Sequence, residues 1–138
     1  MLCGMHAIPF IRYTDAHAAM RFLVDAIGFE PLLVIPGEGD VITHAELRLG
    51  DGVIMIGSIT PDRRAAGMRS AKELAGSAQG IYIQVDDADA AYARATAAGA
   101  EIVEPLRDDL GSGRGFILRD PDGNVWGFGT YLPGAAKP

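Results

Sequence analysis

"GIYIQVDDADAAY", residues 80–92, decides how the chain is read, because it can be laid over "IPFIRYTDAHAAM", residues 8–20. Asp15, Ala16, Ala18 and Ala19 recur as Asp87, Ala88, Ala90 and Ala91, an offset of 72 residues. The same offset carries Gly57 onto Gly129 and Gly52-Val53 onto Asn124-Val125, and one residue less carries Gly28 onto Gly99. Chance matching between Ala-rich helices is the competing explanation. The return of strand and turn signals at the same spacing rejects it in favour of two similar halves.

Each half reads the same way. A short apolar strand, residues 8–13 or 80–85, meets a capping Thr14 or Asp86, and acidic residues suited to a helix N-terminus follow. The helix runs to Gly28 or Gly99, glycine being the favoured residue just past a helix end. Three strands complete each half: 30–35, 42–49 and 52–58 in the first, 101–104, 114–119 and 124–131 in the second. Gly50-Asp51-Gly52 and Asp120-Pro121-Asp122-Gly123 supply the last hairpin turns. The chain is therefore expected to be α+β, with a first βαβββ module at 1–59, a linker at 60–79 carrying one helical turn near Ser70–Leu74, and a second module at 80–138, all within one structural domain.

Composition limits the partners. The 138 residues are 49% hydrophobic, enough for one compact core. The longest apolar runs are far short of the roughly 20 residues of a membrane span. A net charge of −6 speaks against nucleic acid, because phosphate binding needs clustered Lys and Arg. The local cluster Arg63, Arg64, Arg69 and Lys72 reads as a solvated linker. "MLCGMHAIPF" shows no secretory pattern and Cys3 is the sole cysteine, so a cytoplasmic protein without disulfides is expected. Cys3 with His6 is too few ligands for a metal site.

This arrangement, with the 80–105 segment and "RDPDGNVWGFGTY" at 119–131, resembles the vicinal oxygen chelate superfamily, the glyoxalase, bleomycin resistance protein and dioxygenase group. The resemblance implies a cup-shaped mixed sheet made by the two modules, helices on the convex side and ligand in the concavity. A ferredoxin-like sheet fits the composition as well, but not the third strand of each half. The metal enzymes of that group take His, Gln or Glu ligands from four strand positions, which fall here on Ile8, Met55, Gly80 and Gly127. Hard divalent ions want imidazole and carboxylate, so no metal and no cofactor is expected. The resemblance also implies a homodimer.

Strand alternation then assigns faces. Phe10, Arg12, Val53, Met55, Tyr82, Gln84, Gly127 and Tyr131 fall on the cup side, with Phe116 as a further wall; Ile81, Ile83, Ile54, Ile56, Trp126 and Phe128 fall on the helix side. On strand 42–49, His44, Glu46 and Arg48 share the polar face. His44 and Glu46, two apart, are the weak catalytic candidates, able to share a proton or a relocated metal. "GSGRG" at 111–115 leads into a strand, not a helix, and so reads as a rim loop rather than a phosphate cradle. The expected ligand-binding set is thus Phe10, Arg12, His44, Glu46, Met55, Tyr82, Gln84, Phe116, Gly127 and Tyr131.

Three functions follow. The favoured one is a metal-free protein binding a small aromatic or apolar molecule, of which an antibiotic is one case. The second is a lyase, isomerase or dioxygenase with a displaced metal or with His44/Glu46 acid–base chemistry. The third is a module whose cup is filled by another chain.

Overall fold

The computed structural model describes residues 4–108 and 113–134. Eight strands form two four-stranded mixed sheets. In the first, β1 (Phe10–Tyr13), β4 (Gly52–Ser58), β3 (Ile42–Leu49) and β2 (Glu30–Pro36) lie in that order. The second repeats it with β5 (Gly80–Gln84), β8 (Val125–Gly129), β7 (Gly115–Arg119) and β6 (Glu101–Arg107). The outer strands β2 and β6 carry Pro31, Pro36 and Pro105, which an edge tolerates because proline has no ladder donor to lose.

The duplication is visible in the ladders. Phe10, Ile11 and Arg12 face Met55, Ile56 and Gly57 across the parallel β1–β4 pair, and Tyr82, Ile83 and Gln84 face Phe128's neighbours Gly127 and Gly129 and Phe128 itself in the same register, every pair displaced by 72. The third strands differ. Glu46 pairs with Met55, whereas Ile117 pairs with Gly127, a displacement of 71 and 72 respectively, because the equivalent pairs Arg48–Val53 and Arg119–Val125 enclose one more residue in the second half.

Each first helix is capped by an aspartate one position later than expected. Asp15 accepts from Ala18 N ahead of α1 (Ala16–Phe22), and Asp87 accepts from Ala90 N ahead of α4 (Ala88–Ala97). These side chains satisfy first-turn amides that have no intrahelical partner. α1 continues as a π-helical turn, Leu23–Ile27, ending at Gly28 with φ of 108°. There Arg94 of α4 lies against Gly28 and donates to the carbonyls of Val24 (3.0 Å) and Asp25 (3.1 Å), closing the end of the first helix from the second.

Between the sheets, Ser70 caps α3 (Ala71–Leu74), while α2 (Pro61–Ala65) is an addition to the sequence reading, signalled by Thr60 as cap and Pro61 in the first turn. One core joins both halves. Trp126, fully buried, meets Phe29 edge-on at 5.9 Å, and Phe116 stacks on Phe128 at 4.5 Å while Tyr92 of α4 meets it edge-on. No helix among the described residues is long and apolar enough to cross a membrane.

Candidate functional site

The face of the first sheet that turns away from the core is built from β1, β3 and β4. Phe10 and Met55 are ladder partners there, and Glu46 faces Met55 from the other side. His44 Nε2 lies 2.9 Å from Glu46 Oε2, the two side chains being about one-third exposed. Phe10 is 58% exposed, with its ladder partner Met55 half-buried beside it. Phe10, Arg12, His44 and Met55 line a cavity of about 190 Å³.

Arg12 is anchored in this wall. Its Nη1 donates to the carbonyls of Thr43 (3.1 Å) and Ser58 (3.3 Å), and its guanidinium lies over Gly57, where a Cβ would collide with it. Burial, and then the charge of Arg63, holds its pKa below the ordinary arginine value.

The second sheet supplies a chemically different wall. Tyr82 crosses bare Gly127, the nearest ring carbon being 3.8 Å from where a Cβ would stand, and its hydroxyl donates to the Tyr131 carbonyl at 2.6 Å. Gln84 Nε2 donates to Val85 O and Asp86 Oδ1 beside it and to the Thr130 carbonyl at 3.5 Å. Tyr82 and Gln84 line a cavity of about 980 Å³ together with Ile8 and Val53. The expected residues are therefore divided: Phe10, Arg12, His44 and Met55 meet in one cavity, with Glu46 bonded to its rim, while Tyr82 and Gln84 line another.

Phe116 is the correction. It is fully buried on the helix side, because it pairs with and stacks on Phe128, whose side chain faces the core. Ile117 takes its place opposite Gly127. The rim loop at 111–115 is described only from Gly113; Arg114 there pairs with Asp89 (2.9 Å) and Asp108 (3.3 Å). Cys3 lies outside the described residues.

Sequence reasoning missed the most heavily bonded group. Asp120, almost fully buried, takes the Tyr13 hydroxyl at 2.6 Å, Trp126 Nε1 at 3.1 Å, and the backbone amides of Asp122, Gly123 and Asn124. Asp122 accepts from Thr14 N at 2.8 Å, and Thr14 in turn touches Ser70. Burial raises the Asp122 pKa, and burial beside Asp120 raises that of Tyr13 well above its ordinary value. An Asp at the first position of a turn signals backbone bonds, but the Tyr13 partnership leaves no local pattern.

The four positions that the resemblance assigns to metal ligands do not suit a divalent ion. Ile8, Gly80 and Gly127 have no donor side chain, Met55 offers a thioether, and among the described residues no three His, Cys, Asp or Glu side chains converge. His44 and Glu46 make two ligands, short of the three that a catalytic site normally takes from protein.

Residues 5–128 match the sequence family described as the Glyoxalase/Bleomycin resistance protein/Dioxygenase superfamily. An uncharacterized protein of Mycobacterium bovis is 31% identical over 121 residues, 88% of this chain and 80% of its own length. Among solved structures, TioX from Micromonospora sp. ML1 is 35% identical over 90% of this chain and 94% of its own, with a TM-score of 0.69. TnmS3, described as an antibiotic binding protein from Streptomyces sp. CB03234, is 22% identical over 93% of this chain and 98% of its own, with a TM-score of 0.66; at that identity the likeness is one of fold.

Proposed function

The chain belongs to the glyoxalase/bleomycin resistance protein/dioxygenase superfamily, and we propose that it is a binding member which holds a small aromatic or apolar molecule, such as an antibiotic, without a metal. The observation that carries this reading is the Phe10–Met55 pair. An exposed Phe10 stands beside a half-buried Met55, next to an anchored Arg12 and a His44–Glu46 pair. Apolar walls with a few placed polar groups are what small-molecule pockets consist of. The antibiotic class is supported by the shared fold of TnmS3.

Thermal-shift titration with a panel of aromatic antibiotics and metabolites tests the reading. A ligand at 100 times its Kd adds about 2.7 kcal/mol, which is readily measured as a rise in melting temperature. A panel without any shift overturns it.

The His44–Glu46 contact supports a second reading, an acid–base enzyme in which Glu46 orients the imidazole. Under that reading His44→Ala abolishes turnover; full activity in His44→Ala removes it.

We also propose a homodimer. β2 is exposed along its whole length although Leu32, Leu33, Val34 and Ile35 follow one another within it. Long apolar edge strands invite pairing, and a second copy is the commonest cover for such an edge. The single cysteine fits a reducing compartment, which we take to be the cytoplasm.

A further inference from the structure

The basic cluster at 63–72 looks in sequence like a solvated linker. The structure splits it. Arg64 pairs with Glu73 and is neutralised there. Arg69 remains, turned onto the carbonyls of Arg64 and Met68, without a carboxylate among the described residues. Arg12 is in the same position, bonded to two neutral carbonyls. By contrast Arg48, Arg107, Arg114 and Arg119 each face an Asp or Glu.

Arg12 and Arg69 line one crevice of about 590 Å³ between β1 and the linker, where Phe10, Met68 and Leu74 supply apolar surface and Leu74 is left largely exposed. Phe10 and Arg12 are common to this crevice and to the smaller cavity on the sheet. Arg63, just beyond β4, adds its charge to Arg12. In a chain of net charge −6 the crevice places these cations where none of its lining residues is an Asp or Glu.

We propose that the crevice binds a small amphipathic carboxylate, its acid group held between Arg12 and Arg69 and its apolar body resting on Phe10, Met68 and Leu74. The planar guanidinium presents parallel donors that match a carboxylate, and partial burial strengthens the pairing. Since Phe10 and Arg12 serve both cavities, the proposal rests on the small-molecule reading above and specifies the ligand's charge.

Calorimetric titration of the whole chain with 2-naphthoate and with its neutral counterpart 2-naphthamide tests this. The acid is expected to bind roughly tenfold more tightly than the amide, and added salt is expected to weaken the acid alone. Arg12→Gln should remove the preference. Arg69→Gln, on an exposed side chain whose bonds are local, should reduce it several-fold in a protein that melts as the parent does, and Arg12→Lys should retain part of it. Equal affinities in the parent, or a preference that survives both glutamine variants, overturns the acid subsite while leaving an apolar-ligand reading standing. If neither probe binds, the subsite falls, and the antibiotic panel then decides the broader reading separately.

Discussion

The hydroxyl of Tyr13, at the end of β1, donates to Oδ2 of Asp120, in the β7–β8 turn, at 2.6 Å, and the same oxygen receives Trp126 Nε1. A carboxylate in the second half thus holds the first strand of the first half. Bonds to an ionised acceptor contribute about 1.5–3 kcal/mol, so Tyr13→Phe is expected to lower the unfolding free energy by that order in urea titration. The same pair sets a pH limit. An unfolded tyrosine titrates near pH 10, and the folded pKa is raised above it by burial and then by Asp120. Stability from this group is whole below pH 10 and declines as pH rises toward the folded value. Tyr13→Phe should flatten that alkaline decline.

Three glycines should respond differently to alanine. At Gly57 a Cβ meets the Arg12 guanidinium and the Thr43 carbonyl, and at Gly115 it meets the Phe128 carbonyl, which is backbone and cannot give way. Overpacking of this kind costs about 1–3 kcal/mol, with Gly115→Ala the more severe. Gly127→Ala meets only the Tyr82 ring at ordinary contact distance and should stay within about 0.5 kcal/mol of the parent. Melting temperatures of the three variants check the order.

Phe116→Ala should act on stability. Its ring is stacked on Phe128 and met by Tyr92 inside the core, and losing a buried aromatic costs about 3–5 kcal/mol. Urea unfolding gives the loss. At temperatures where the variant remains folded, its affinity for any ligand found in the panel should match the parent's.

Leu33→Glu places a charge on the exposed β2 edge, opposite Glu46 in the β2–β3 ladder. Light scattering should show the dimer mass of the parent fall to that of a monomer, with the monomer's circular dichroism unchanged. A parent that is already monomeric rejects the dimer.

Much of the fold was legible because it rests on local rules repeated twice. Gly28 ends its helix through backbone geometry, and the alternation of Trp126 and Phe128 with glycine marks a core face. Alternation within one strand put His44 and Glu46 on a shared face, and their side chains meet there. Phe116 went astray because its face is set by its pairing with Phe128, and the β7–β8 register is not written in the alternation of either strand. The Tyr13–Asp120 bond was out of reach for another reason: it depends on how separate segments pack, and neither periodicity nor spacing encodes that.

The closure of the first helix by Arg94 has a consequence for biosynthesis. The first sheet and its helix leave the ribosome before the arginine that covers the helix end, and well before the aspartate that holds Tyr13. At ordinary translation rates that interval is on the order of seconds, with the apolar β2 edge already in solution. The nascent half-protein is the exposed species in that interval, and it becomes a finished fold only once β8 has emerged to join β5 to β7.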